Sequence, residues 1–218
     1  MKRLALLGLL AAGALPCAAG ASDFGLDAHA GTLGLGAELN YTINPYFTAR
    51  VNFNNYTYSY DSKKEQIDYN FDLKLSSYAA MVDVHPFQGI FRVTGGLVGN
   101  NNKVDAVAVP SGTYTINGTT YSASQVGTLS GLITFNSTAP YLGLGWSSLG
   151  STSTGLGFSF DVGVLMQGSP KVKLSANGPI ANNSQFQSDL AAEQAKVQDD
   201  VNSFKTYPVI ALGLTYRF

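Results

Sequence analysis

An all-β chain, closed into an eight-stranded antiparallel up-and-down transmembrane β-barrel with long extracellular loops, is the fold this sequence predicts. Three observations predict it. The first is alternation, seen best in the last nine residues, I-A-L-G-L-T-Y-R-F. Ile210, Leu212, Leu214, Tyr216 and Phe218 share one parity, and Ala211, Gly213, Thr215 and Arg217 the other. Side chains repeat every two residues along a strand, so one face is wholly apolar and the other small or polar. The second is composition. Only 12% of the 218 residues are charged, about half the share in soluble proteins, yet no internal apolar run is long enough for a spanning helix. Glycine (24), tyrosine (12) and phenylalanine (12) are abundant, which suits crowded lumen positions and interfacial aromatic girdles.

The third observation concerns the compartment. Lys2 and Arg3 form a positive n-region, Leu4 to Leu15 a short apolar h-region, and Ala19-Gly20-Ala21 a cleavage site before Ser22. Residues 1–21 are therefore expected to be a cleaved secretory signal peptide, and 22–218 a single outer-membrane barrel domain. Pro16 directly precedes Cys17, where a lipoprotein signal needs a small residue, so no lipid anchor is expected. Without Lys2, Arg3 and Cys17 the mature chain has 11 basic against 14 acidic residues, a net charge of about −3, and no cysteine. Disulfide and thiol chemistry are excluded. The absence of a basic excess argues against nucleic acid.

Taken in order, the alternation yields strands at about 23–30, 33–41, 46–58, 68–85, 90–104, 131–146, 155–173 and 205–218. Gly31-Thr32 turns the chain between the first two, and Asn44-Pro45 between the second and third. Tyr56, Tyr58 and Tyr60 carry the third strand past the membrane edge toward a charged loop, Asp61 to Glu65. In the fourth, Phe71, Leu73 and Leu75 have one parity and Tyr78, Ala80, Val82 and Val84 the other. That switch near Ser76-Ser77 predicts either a bulge or an emergent portion whose faces obey different rules outside the bilayer. Pro86 to Gly89 is a tight turn. A long polar loop runs from Asn100 to about Gly131, and within it Thr113 to Tyr121 reads as a small hairpin on Asn117-Gly118. Gly168-Ser169-Pro170 leaves the membrane again. Phe186, Leu190, Val197, Val201 and Phe204 fall on one helical face, predicting a helix or helical loop over 184–205. The tight links after Tyr41, His85 and Trp146 share one side with both chain ends, which a bacterial barrel places in the periplasm.

Charges on the inward parity are the candidate site: Asp27, Glu38, Arg50, Asp83, Arg92, Asp161 and Arg217, with His29 and His85 beside them. Glu38, Arg50, Asp83 and Arg92 lie close to periplasmic turns and are expected to meet at one level. An eight-stranded barrel is just wide enough for side chains to fill, so a salt-bridged plug is one expectation. A polar constriction that passes small zwitterionic or cationic solutes is the other, and both hold if the network rearranges. Catalysis is not expected, because a nucleophile, base and orienting acid are not brought together. Two separated histidines make no closed metal site, and no cofactor is expected. Tyr216 and Phe218, at an aromatic carboxy-terminal end, are the expected signal to the barrel-assembly machinery. Outer-membrane lipid and small solutes complete the expected partners.

Ala139-Pro-Tyr-Leu-Gly-Leu-Gly-Trp146 and Gly168-Ser-Pro-Lys-Val-Lys-Leu174 resemble segments of the CarO-type ornithine-uptake porin family, small eight-stranded outer-membrane barrels. Asn44-Pro-Tyr46, Asp83-Val-His-Pro86 and Ile116-Asn-Gly118 resemble further landmarks in the same order. The resemblance implies uptake of basic amino acids and, in some members, of carbapenems. The expected function is thus an outer-membrane porin or channel for small solutes. The alternative is a non-transporting structural or surface-interaction barrel acting through its extracellular loops.

Overall fold

The computed structural model describes residues 23–64, 67–110, 112–148 and 154–218. The expected signal peptide, residues 1–21, and part of the expected charged loop 61–65 lie outside the described residues. In chain order the elements begin with β1 (Phe24–Gly31), β2 (Gly34–Asn44), β3 (Phe47–Lys64), β4 (Ile67–Val84), β5 (Phe91–Asn100) and β6 (Lys103–Pro110). A hairpin, β7 (Thr113–Ile116) and β8 (Thr119–Ser122), leads to a single helical turn, α1 (Ala123–Val126). Then come β9 (Leu129–Thr134), β10 (Thr138–Ser147), β11 (Gly155–Leu165), β12 (Lys171–Ala176), α2 (Ser184–Val201) and β13 (Tyr207–Arg217).

Eight of these strands close an antiparallel barrel in the order β1-β2-β3-β4-β5-β10-β11-β13, with β13 returning to β1. Closure pairs Gly25 with Arg217 and Leu26 with Tyr216, so no edge is left to lipid. The outer face carries large apolar side chains in the open. Leu156, Phe53 and Leu212 are 78%, 68% and 64% exposed. Patches of this size on a soluble monomer would drive aggregation, whereas in a bilayer they are the lipid-facing belt. Phe91, Trp146 and Phe160 continue the belt as a periplasmic girdle, with ring centroids 5.5 and 5.8 Å apart. This is a membrane-spanning barrel of the bacterial outer-membrane type.

Three predicted strands are interrupted. The expected 90–104, 131–146 and 155–173 break at residues 101–102, 135–137 and 166–170. The first break is local. Asn102 Oδ1 accepts from Ser76 N (2.8 Å) and Asn100 Oδ1 from Asn102 N (3.2 Å), diverting side-chain amides into the ladder. Register nonetheless persists across it, Ser77 opposite Asn100 and Lys74 opposite Lys103. The strand then runs on to Pro110, through what the sequence suggested was polar loop. β3 and β4 likewise stay paired from Phe47–Val84 out to Lys64–Ile67. There is no bulge at Ser76-Ser77, and the parity switch there belongs to the emergent portion.

That portion is a second sheet, β3-β4-β6-β9-β12, continuous with one side of the barrel. Its lumen-side face carries Leu73 and Leu75 on β4, Val104 and Ala106 on β6, Gly131 and Ile133 on β9, and Val172 and Leu174 on β12. The α2 helix and the β7–β8 hairpin cover the far end of this face around a core of Tyr114, Ile116, Val126, Phe186 and Leu190. The hairpin turns on Asn117 and Gly118, both at positive φ (49° and 82°), as a two-residue turn of matching twist requires. Asn183 caps α2, accepting from Gln185 N (3.0 Å) and Phe186 N (3.1 Å). Gln194 and Gln198, one helical turn apart, accept from Leu174 N (2.9 Å) and Val172 N (3.0 Å). They satisfy the free edge of β12, which would otherwise invite pairing with another chain.

Candidate functional site: the charged layer of the lumen

The strand parity that turns apolar residues to lipid turns Glu38, Arg50, Asp83, Arg92 and Asp161 inward from five different strands. They converge. Arg50 Nη1 donates to Glu38 Oε1 and Oε2 at 3.1 and 3.0 Å, and Nη2 donates to Thr94 Oγ1 at 3.1 Å. Arg50 Nε stands 2.8 Å from Asp83 Oδ2, an ion pair too poorly aligned to be a hydrogen bond. A fourth contact, Nη2 to Asp161 Oδ1, is 3.5 Å. Arg92, on β5 beside the strand of Asp83, bridges two of the same acids, Nη2 to Asp161 Oδ2 at 2.7 Å and Nη1 to Asp83 Oδ2 at 3.4 Å. Thr94 Oγ1 donates to Asp83 Oδ1 at 2.7 Å. Arg50, Asp83 and Arg92 are almost wholly buried. Burying charge is costly unless pairing and hydrogen bonds offset it, and this layer offsets it with two arginines shared among three carboxylates.

Asp27, the register partner of Glu38 on β1, forms a second group beside the first. Ser159 Oγ donates to its Oδ2 (2.6 Å), and His29 Nδ1 lies 2.8 Å from its Oδ1. His29 Nε2 lies 2.8 Å from Asn54 Oδ1, which ties the ring to β3 as well as to Asp27. His85 is at the periplasmic end, between Gly89 O (2.9 Å) and Thr48 Oγ1 (3.2 Å). Arg217 stands at the periplasmic mouth, opposite Gly25 and Gly155, while the ion pairs of Arg50 and Arg92 run to Glu38, Asp83 and Asp161. Tyr216 and Phe218 pack edge to face on the outer surface, centroids 5.2 Å apart.

Glycines make room for these groups. A Cβ on Gly145 would sit 2.6 Å from Asp161 Oδ1 and 2.8 Å from Arg92 Nε, and one on Gly213 would sit 2.5 Å from Ser159 Oγ. Sequence reasoning expected glycines at crowded lumen positions without singling out these two, and missed Thr94, Asn52, Asn54 and Ser159. The signal was present, since all share the inward parity. Asn40 is also inward, 2% exposed, with neither side-chain amide atom hydrogen-bonded.

Above the charged layer the lumen is apolar. Ala79, Met81, Val98, Ala139, Tyr141, Leu165 and Val209 form a continuous cluster, with Leu33 and Tyr207 packed on it. Between the two layers lies a cavity of about 40 Å³, room for no more than a few waters. Asp27, Glu38 and Asp161 face it, with Arg50 and His29. Among the described residues, no three or more His, Cys, Asp or Glu side chains are grouped to hold a metal.

No protein-family model matches the sequence, and no curated protein matches it. Solved structures do. CarO2 of Acinetobacter baumannii superposes with a TM-score of 0.60 at 22% identity, covering 91% of this chain and all of that one. CarO of the same organism superposes with a TM-score of 0.58 at 23% identity, covering 89% and 97%. At such identity the likeness is one of fold, and it extends over nearly the whole of both chains. The chain therefore has the fold of a CarO-type outer-membrane barrel.

Proposed function

We propose that this barrel is a narrow, gated channel for small cationic or zwitterionic solutes, basic amino acids among them, with the charged layer as its filter. The observation that carries it is the lining of the lumen cavity. Three carboxylates, Asp27, Glu38 and Asp161, share a cavity with Arg50 and His29, and an inward amide, Asn40, keeps its hydrogen-bonding capacity unspent. A ring of like-signed groups selects ions of the other sign. An arginine held by several carboxylates can release one of them to a solute ammonium without leaving either charge bare. The longest of its contacts, to Asp161 at 3.5 Å, is the natural place for the layer to part. Carbapenems, with their carboxylate and cationic substituents, belong to the same class of small polar solutes. Tyr216 and Phe218 are assigned as the signal read by the assembly machinery, so deleting Phe218 should lower membrane insertion.

A second reading has its own support. The apolar cluster above the charged layer and the built extracellular cap suit a non-transporting barrel that works through its surface. Planar-bilayer recording of the purified protein separates the two. The channel reading expects brief, cation-selective openings whose selectivity falls in Glu38→Gln. Silence in both proteins would overturn it and favour the surface role.

A further inference from the structure

The cap's outward face carries a basic row that the lumen does not explain. Lys74, Lys103, Thr134 and Lys171 are register partners across four adjacent strands, β4, β6, β9 and β12. One row further out lie Asp72, Asp105, Leu132 and Lys173. The two aspartates engage the inner lysines, Lys74 Nζ to Asp105 Oδ2 at 2.8 Å and to Asp72 Oδ2 at 3.6 Å, and Lys103 Nζ to Asp105 Oδ2 at 3.6 Å. Lys171 and Lys173 are exposed on the side of β12 away from buried Val172. Four cations thus stand against two anions, on the face that lower down is lipid-facing.

Their height is informative. On β4 the last large lipid-facing side chain is Tyr78, 55% exposed. Four residues separate it from Lys74, about 13 Å of strand at roughly 3.3 Å per residue. At the usual barrel tilt of about 40° that is about 10 Å above the apolar belt. Lysine stems bend toward the interface, so the ammonium groups meet the headgroup layer rather than hydrocarbon or open water. The opposite wall ends lower, on the turn between Gly31 and Gly34 with Pro208 beside it, and raises no such row.

We propose that this row is a docking surface for the phosphorylated headgroup of an outer-leaflet glycolipid, with the acyl chains lying on the apolar belt beneath. The charge is complementary, the row lies where such a headgroup must sit, and the belt supplies the site for the chains. Asp72 and Asp105 hold the ammonium groups of Lys74 and Lys103 in place and leave Lys171 and Lys173 with the excess charge.

The test uses full-length protein in phosphatidylcholine nanodiscs with EDTA throughout, so that no divalent cation bridges in place of lysine. Phosphorylated lipid A is titrated against wild type, against K103Q/K171Q/K173Q and against the single variant K171Q, with K205Q, on the α2–β13 connection, as the control for loss of one lysine outside the row. Near a charged membrane surface each lysine contributes about a fivefold factor, so the triple variant should bind of order a hundredfold more weakly, K171Q about fivefold more weakly and K205Q like wild type. Dephosphorylated lipid should bind wild type no better than the triple variant. Equal binding by wild type and triple variant, or retention without the phosphates, would overturn the proposal. So would full competition by millimolar inorganic phosphate, which would mark a free-anion site instead. Unchanged circular dichroism and melting of the triple variant exclude misfolding as the cause.

Discussion

The barrel and the cap share strands but invert their faces. Along β4, Val82, Ala80 and Tyr78 face outward as apolar groups, and Asp83 and Ser77 face inward as polar ones. A few residues on, Lys74 and Asp72 face outward and Leu75 and Leu73 inward. The backbone does not change, since β3 stays in register with β4 throughout. What changes is the surroundings. In the membrane the exterior is hydrocarbon, and the polar groups are confined to the interior, which they share with the apolar cluster. Beyond it the exterior is water, and the inner face becomes apolar, buried at its far end under α2 and the hairpin. The point where the faces exchange polarity, between Tyr78 and Lys74, marks the outer edge of the membrane. The energetics differ as well, with ion pairs and an apolar cluster together holding the lumen and apolar burial holding the cap.

Breaking the lumen's half of this comparison should have the largest effect. Arg50→Ala leaves Glu38 and its neighbouring carboxylates without their shared cation, and removing one member of a buried ionic set costs about 3–5 kcal/mol. Urea unfolding of the reconstituted protein should show that loss in the barrel transition, while proteolysis of the cap is unchanged. A middle-sized effect tests inward against outward faces on one sheet. Gly145→Ala forces a methyl against Asp161 and Arg92 and should cost about 1–3 kcal/mol by overpacking. Gly95→Ala on the adjacent strand meets nothing within 4 Å and should be neutral in the same assay.

The smallest effect belongs to the cap. Tyr121 Oη and Asn117 Nδ2 donate to Asp189 at 2.6 and 3.2 Å, tying α2 to the hairpin. The tyrosine hydroxyl first, and then the amide, hold the Asp189 carboxyl below its usual range. A depressed carboxylate stabilises the fold above its unfolded pKa and ceases to do so as pH falls through the folded one. Protease sensitivity of residues 112–205 should therefore rise slightly below about pH 4 while the barrel stays resistant. Asp189→Asn should remove most of that pH dependence.

Much of this was legible from alternation alone. Eight barrel strands, the Asn117-Gly118 hairpin and the helix after Asn183 all lie where period two, turn chemistry and period 3.6 put them. The inward arginines and acids were legible too, because parity fixes direction once one face must meet lipid. How they pair was not, since that depends on reach across the lumen. Thr94 and Asn54 look like filler until Arg50 and His29 are placed against them. Residues 105–110 were read as loop because Val104 and Ala106 are apolar on the parity that, lower down at Arg92 and Thr94, is polar, and a pattern that inverts mid-strand resembles no pattern. Tyr56, Tyr58 and Tyr60 belong to the same inversion, lying opposite Leu75, Leu73 and Phe71 on the lumen side of the β3–β4 ladder.

The most direct test of the face exchange is a nitroxide scan of β4 from Asn70 to Val84. The only cysteine in the sequence is Cys17, in the expected signal peptide, so single cysteines can be placed on a Cys17→Ser background. In liposomes, labels at 78, 80, 82 and 84 should be open to oxygen and closed to a water-soluble nickel chelate. Labels at 70, 72 and 74 should show the reverse, and labels at 73 and 75 should be shielded from both. Oxygen access continuing unchanged along even positions to residue 70 would place the whole strand in the bilayer and contradict the account.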